Sequence, residues 1–141
     1  MARKAETTES GMRELTRAEL QVMQILWDKK EAMTRQVLEA MPEPKPAFNT
    51  VSTVIRVLET KGFVSHKAFG TTYVYFPVVQ RGEYTSRFMR NMVQNFFGGS
   101  RSAFISFFAE QEQMTEEESE ELHALMKKVE ERKTGILRTT N

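Results

Sequence analysis

Phe48 to Val64 reads FNTVSTVIRVLETKGFV, and two periodicities meet in it. Phe48, Val51, Val54, Ile55 and Leu58 recur at the spacing that lines one face of an α-helix. Gly62 then stands where a left-handed helix C-cap is expected. After it the pattern changes to alternation rich in β-branched and aromatic residues, so that Phe63–Lys67 and Thr72–Phe76 read as two strands about a turn holding Gly70. The face of the helix opposite the apolar one carries Asn49, Ser52, Thr53, Arg56 and Thr60. Solvent faces of helices are usually filled by Glu, Lys, Gln and Ala, which are better helix formers, and no acid precedes Glu59. A helix that enters the DNA major groove needs short side chains that both donate and accept hydrogen bonds, and it needs no carboxylate facing phosphate. Asn49, Ser52, Thr53 and Arg56 meet that requirement, with Thr50 at the edge of the same face.

The preceding residues supply a compact helical frame. In LTRAELQVMQILW, Thr16 and Glu19 form a capping box, and Leu15 is placed as a hydrophobic staple on Leu20. Leu20, Met23, Leu26 and Trp27 make the apolar stripe of a first helix. A cap at Thr34 opens a short second helix with Val37, Leu38 and Met41 inward, and the prolines of MPEPKPAF end it. Three helices followed by a hairpin is the order of a winged helix-turn-helix. The fold class expected is therefore mainly α with a small β hairpin, an N-terminal winged helix-turn-helix followed by a C-terminal helical dimerisation region. The wing offers a second contact through Lys67 and the turn from Ala68 to Thr72.

Charge is distributed unevenly along the 141 residues, whose net charge is only +1. From Pro44 to Arg81 five bases (Lys45, Arg56, Lys61, Lys67, Arg81) face Glu59 alone, whereas from Glu110 to Glu131 nine acids face Lys127 and Lys128. A basic middle and an acidic end suggest that the middle meets a polyanion. The absence of cysteine excludes disulfides and thiolate chemistry. His66 and His123 lie in no metal-ligand pattern, and neither a phosphate loop nor a nucleophile elbow occurs. No metal, no cofactor and no enzymatic activity are expected. Without a signal peptide or an apolar run of membrane-spanning length, the chain reads as cytoplasmic.

Beyond Arg81 three further helices are expected, separated by Gly98-Gly99 and by a cap at Thr115. They carry more aromatic and aliphatic side chains than short helices can hide. Phe88, Met92, Phe96, Phe104 and Phe107, with the stripe Leu122, Leu125, Met126 and Val129, are the expected dimerisation residues. The organisation expected is a disordered arm over 1–14, a winged DNA-binding domain over 15–79, a helical dimerisation domain over 80–133 and a disordered tail over 134–141.

Taken together, LTRAELQVMQILW, NTVSTVIRVLETKGFV, YVYFPV and GGSRSAFISFFAEQEQMTEEESEEL resemble the penicillinase-repressor family of bacterial transcriptional repressors, the BlaI, MecI and CopY type. The resemblance runs in register from about Leu15 to Lys133. It implies a homodimer that places the third helix of each winged domain in one half of a palindromic operator, with base contacts falling on Asn49, Thr50, Ser52, Thr53 and Arg56. It also implies inactivation by cleavage in the C-terminal domain, triggered by a membrane-bound sensor metalloprotease. The matching bond is Ser106–Phe107, although penicillin-responsive members carry Asn where this chain has Ser106. The C-terminal cysteine motif of the copper-responsive branch is absent. Two rival readings stay open: a winged-helix regulator switched by a small-molecule ligand, and a winged-helix protein-interaction module.

Overall fold

A computed structural model describes the backbone of residues 14–140 and the side chains of residues 14–134. All of the arm expected over 1–14 except Glu14 lies outside the described residues. The element order is α1 (Arg17–Lys29), α2 (Thr34–Glu39), α3 (Phe48–Thr60), β1 (Val64–Phe69), β2 (Thr72–Pro77), α4 (Arg81–Phe97), α5 (Arg101–Gln111) and α6 (Glu116–Thr140). Three helices and an antiparallel hairpin confirm the winged-helix reading, and the later segments are helical as expected. The chain divides into two compact units, residues 1–91 and 92–141. No described helix is long and apolar enough to cross a membrane.

In the first unit α1 starts on its capping box. The Thr16 hydroxyl accepts from the Glu19 N–H at 3.2 Å, and the Thr16 N–H donates to Glu19 Oε1 at 2.9 Å. The same carboxylate is buried, and its Oε2 accepts from the Lys61 ammonium at 2.6 Å, which ties the start of α1 to the end of α3. Burial pushes the Glu19 carboxyl up, but the Lys61 bond and charge and the two Thr16 bonds outweigh it, so the group lies below its ordinary range. Met33, not the expected Thr34, is the N-cap of α2. Its N–H is satisfied by the amide oxygen of Gln36 at 2.8 Å, so no hydroxyl cap is needed there.

Val22, Met23, Leu26, Val37, Val51, Ile55, Leu58 and Phe63 close the core. At the end of α3, Gly62 has φ +88, the left-handed conformation that glycine adopts without a Cβ penalty, and the chain turns into the hairpin. The first strand starts one residue later than expected, at Val64, and both strands end later than expected, at Phe69 and Pro77, pairing Val64 with Pro77 and Phe69 with Thr72 at their ends. A third short pairing joins them. Ala32 and Tyr75 exchange both backbone hydrogen bonds, at 2.9 and 2.8 Å, so the link between α1 and α2 pins the wing at its base.

Three sequence expectations need correction. Phe48, assigned to the apolar face of α3, is 45% exposed, because the first residue of the helix projects beyond the core that Val51, Ile55 and Leu58 fill. The core of the winged unit also reaches past residue 79. Tyr84 of α4 is buried, lies 6.2 Å from Trp27 and 6.1 Å from Phe63 between ring centroids, and its hydroxyl accepts from the Leu15 N–H at 2.8 Å. Finally, α6 continues to Thr140, into the tail over 134–141 expected to be disordered. No proline interrupts that segment to stop it.

Candidate nucleic-acid interface

The outward face of α3 follows directly from its buried one. With Val51, Ile55 and Leu58 locked inward, Asn49, Thr50, Thr53 and Arg56 are exposed and Ser52 is half-buried. The Arg56 guanidinium donates to Thr53 Oγ1 at 3.3 Å, and the Thr60 hydroxyl donates back to the Arg56 carbonyl at 3.1 Å. These side chains form a short, polar, neutral-to-basic ridge on a rigid element. Ridges of this kind can offer donors and acceptors to base edges without bringing a carboxylate toward phosphate.

The basic middle of the sequence looks different once folded. The Lys45 ammonium donates to the carbonyls of Glu39, the last residue of α2, and of Met41 just after it, at 2.9 and 2.5 Å. Lys61 is paired with Glu19, Lys67 with Glu31 at 2.9 Å, and Arg81 with Asp28 at 2.7 Å. Acids distant in sequence thus neutralise most of the bases that a local count leaves unopposed. Arg56 is the exception: among the described residues it has no acidic partner. Of the five bases between Pro44 and Arg81, the one without a carboxylate partner among the described residues is therefore the one on the α3 ridge.

Two further basic side chains of the winged unit stand over aromatic rings. Lys67 on β1 stands over Phe69 and Phe76, 5.9 and 5.8 Å from their ring centroids, and its exchange with Glu31 takes place at the surface, with both side chains about half exposed. Arg35 of α2, which the sequence reading did not single out, stacks its guanidinium 5.9 Å from the ring centroid of Phe48 at the start of α3. An aromatic at the first helical position, ill-placed for the core, was the signal that could have pointed to it. Among the described residues no group of three or more His, Asp or Glu is placed to hold a metal ion.

The second unit lacks the interior of the first. Among its described residues only Val93 is buried, and α5 buries none. The α4 helix ends in Gly98 and Gly99, both with positive φ, and the Gly99 N–H closes back onto the Val93 carbonyl at 3.1 Å. Ser100 then caps α5 by accepting from the Ala103 N–H at 3.1 Å, and Thr115 caps α6 in a box with Glu118. Phe97 packs against Phe104 and Phe107 with ring centroids 5.5 Å apart in each case, while Phe96 is 77% exposed. On α6 Leu122 is half-buried, and Leu125, Met126 and Val129 are exposed in one stripe. Phe88 and Met92, on α4, are exposed and half-buried respectively. Ser106 and Phe107 are also exposed, so the segment AFISFF is not buried within the single chain.

The sequence profile of the family described as penicillinase repressor matches residues 15–128, which takes in every element from α1 into α6. The methicillin resistance regulatory protein MecI of Staphylococcus aureus (strain N315) is 28% identical to this chain over 116 residues, 82% of this chain and 94% of that protein. The penicillinase repressor of Bacillus licheniformis is 25% identical over 121 residues, 85% of this chain and 94% of that protein. A penicillinase repressor of Staphylococcus aureus is 23% identical over 114 residues, 80% of this chain and 90% of that protein.

Proposed function

The chain belongs to the penicillinase repressor family, a family of transcriptional repressors and not of enzymes, and on that premise we propose a dimeric repressor whose α3 helices read the two halves of a palindromic operator. The observation that carries the reading is the α3 ridge. Asn49, Ser52, Thr53 and Arg56 project from a helix fixed by three fully buried aliphatics, and among the described residues Arg56 forms no ion pair with an acid. Asn suits adenine, Arg suits guanine or phosphate, and the threonine methyls suit the methyl of thymine. An interaction module that avoids DNA would be served by an apolar or acidic ridge, and this one is neither.

Self-association is supported by the exposed side chains of the second unit. A helical unit with one buried residue among those described has too little core to hold three helices in place, and a second copy of the same face supplies what is missing. Two readers joined in this way address half-sites one helical turn, about 34 Å, or a multiple of it apart. Selection of bound sequences from random duplexes tests the function. The expected result is a two-fold-symmetric pair of half-sites at that spacing; enrichment of no sequence would reject the reading.

Lys67 is assigned to the phosphate backbone. Its surface pair with Glu31 contributes at most about 1 kcal/mol, so a phosphate can replace the carboxylate. Lys67→Ala is expected to weaken all duplexes about equally and to lower the salt slope by about one. A salt titration of binding reads both, and a loss confined to one sequence would assign Lys67 to base reading instead.

Release of the operator is proposed to follow cleavage at Ser106–Phe107, by a sensor protease, within α5. The bond is exposed in the single chain but helical, and a protease needs it locally unwound. Cutting there separates α6, with its whole apolar stripe, from the reading unit and removes the advantage of joined readers. New termini mapped by mass spectrometry in induced cells are expected at or beside Phe107, and an intact chain in fully induced cells would favour the ligand-switched alternative.

A further inference from the structure

Glu59 is the one acid on α3, and its position is unexpected for a helix that approaches phosphate. At about 100° per residue it falls close to the line of Ser52, along one margin of the polar ridge. The wing covers it. His66 Nδ1 lies 2.6 Å from Glu59 Oε2, each side chain is about 30% exposed, and the imidazole stacks on the Tyr73 ring at 4.1 Å and 18°. Tyr75 closes the cluster from the other side, with its ring centroid 5.6 Å from that of His66. The ionisable groups about this imidazole are therefore Glu59, with Arg56 one turn before it on α3, the phenols of Tyr73 and Tyr75 on β2, and Lys67 beside it on β1, itself held by Glu31. Glu59 is the one carboxylate in direct contact.

Resting on the reading of α3 as an operator-binding helix, we infer that His66 is a positioning residue of that helix, which neutralises Glu59 when protonated, so that operator binding takes up a proton. The physical basis is linkage. Histidine changes charge between pH 5 and 8. A neutral His66 can donate its Nδ1–H to Glu59 but leaves the carboxylate's charge uncompensated at the margin of the ridge. The imidazolium keeps the same hydrogen bond and cancels that charge. DNA phosphates nearby disfavour a net negative pair and favour a neutral one, so the bound state holds the extra proton and affinity rises as pH falls. His66 makes this contribution through Glu59 and touches no base. The same contact joins β1 to α3 and sets the wing against the reading helix.

The chain has two histidines, which makes the effect separable. Operator affinity is measured at constant salt from pH 7.5 to 5.5 for the wild-type chain, His66→Gln, Glu59→Gln and His123→Gln. The wild type and His123→Gln are expected to tighten several-fold, up to about tenfold, as pH falls. His66→Gln is expected to lose that dependence. Glu59→Gln is expected to lose it as well and to bind at pH 7.5 about as tightly as the wild type at pH 5.5, a result that a purely structural clasp would not give. Calorimetry of wild-type binding in two buffers of different ionisation enthalpy reads the proton uptake without any variant. Tight binding with no uptake, or a wild-type pH slope in His66→Gln or Glu59→Gln, would overturn the inference. Wild-type protein that selects no sequence at any pH would overturn the operator-binding reading, and this coupling with it.

Discussion

A fragment ending at Asn91 is expected to run as a monomer and to bind the operator on the order of a hundredfold more weakly than the full chain. The fragment keeps the whole core of the winged unit, because Tyr84, with its bond to Leu15 and its contacts to Trp27 and Phe63, lies before the cut. A cut at residue 79 would remove that ring and confound loss of folding with loss of dimerisation. What the fragment lacks is the second unit, where Phe96, Phe107, Phe108, Leu125, Met126 and Val129 are left exposed. Without them each reader binds alone, and the second half-site contact ceases to be intramolecular. Sedimentation and operator titration on the same preparation check both halves of the expectation. A dimeric fragment, or one with undiminished affinity, would place self-association within the winged unit.

Replacing Arg56 by Ala is expected to cost about 1–3 kcal/mol on the selected operator and to relax preference at one base position. Of the five bases between Pro44 and Arg81, four hold a partner of their own: Lys45 two carbonyls, Lys61 Glu19, Lys67 Glu31 and Arg81 Asp28. Arg56 instead leans on the Thr53 hydroxyl, which orients the guanidinium along the ridge and leaves the rest of its fork for an external acceptor. Arg56→Lys keeps the charge but loses the two-pronged geometry, so it should recover salt-dependent affinity without base preference. Binding of a panel of single-base operator variants reads the difference. Loss spread evenly over all positions would move Arg56 to the phosphate backbone.

Much of this architecture was legible locally. The Thr16–Glu19 box, the stop at Gly62, the alternation of the hairpin and the polar face of α3 are each written within a few residues, and local signals of this kind survive folding. Contacts between distant segments were not legible. The Ala32–Tyr75 pairing is a single bridge with no periodicity to announce it. Tyr84 reaches back 69 residues to Leu15, a separation that no local pattern announces, and in the sequence its helix reads as belonging wholly to the second domain. The partners of Lys61, Lys67 and Arg81 lie in or just after α1, beyond any local charge count, which overstated the basicity of the middle of the chain. His66 reads in the sequence as a lone histidine, and its partner Glu59 becomes visible only when the hairpin folds back on α3. Phe48 follows the helical period yet escapes the core, because periodicity gives direction around a helix and not how far along it the core extends.

The central claim, that the α3 ridge sits in the major groove, can be tested through a property of the sequence: the chain has no cysteine. Ser52→Cys therefore introduces a single thiol on the ridge, to be paired with operator duplexes that carry a thiol tether on one base at successive positions. The account predicts disulfide crosslinks to major-groove tethers within each half-site, and none to the same tethers from Glu118→Cys on α6. Crosslinking from Glu118→Cys but not from Ser52→Cys would contradict it.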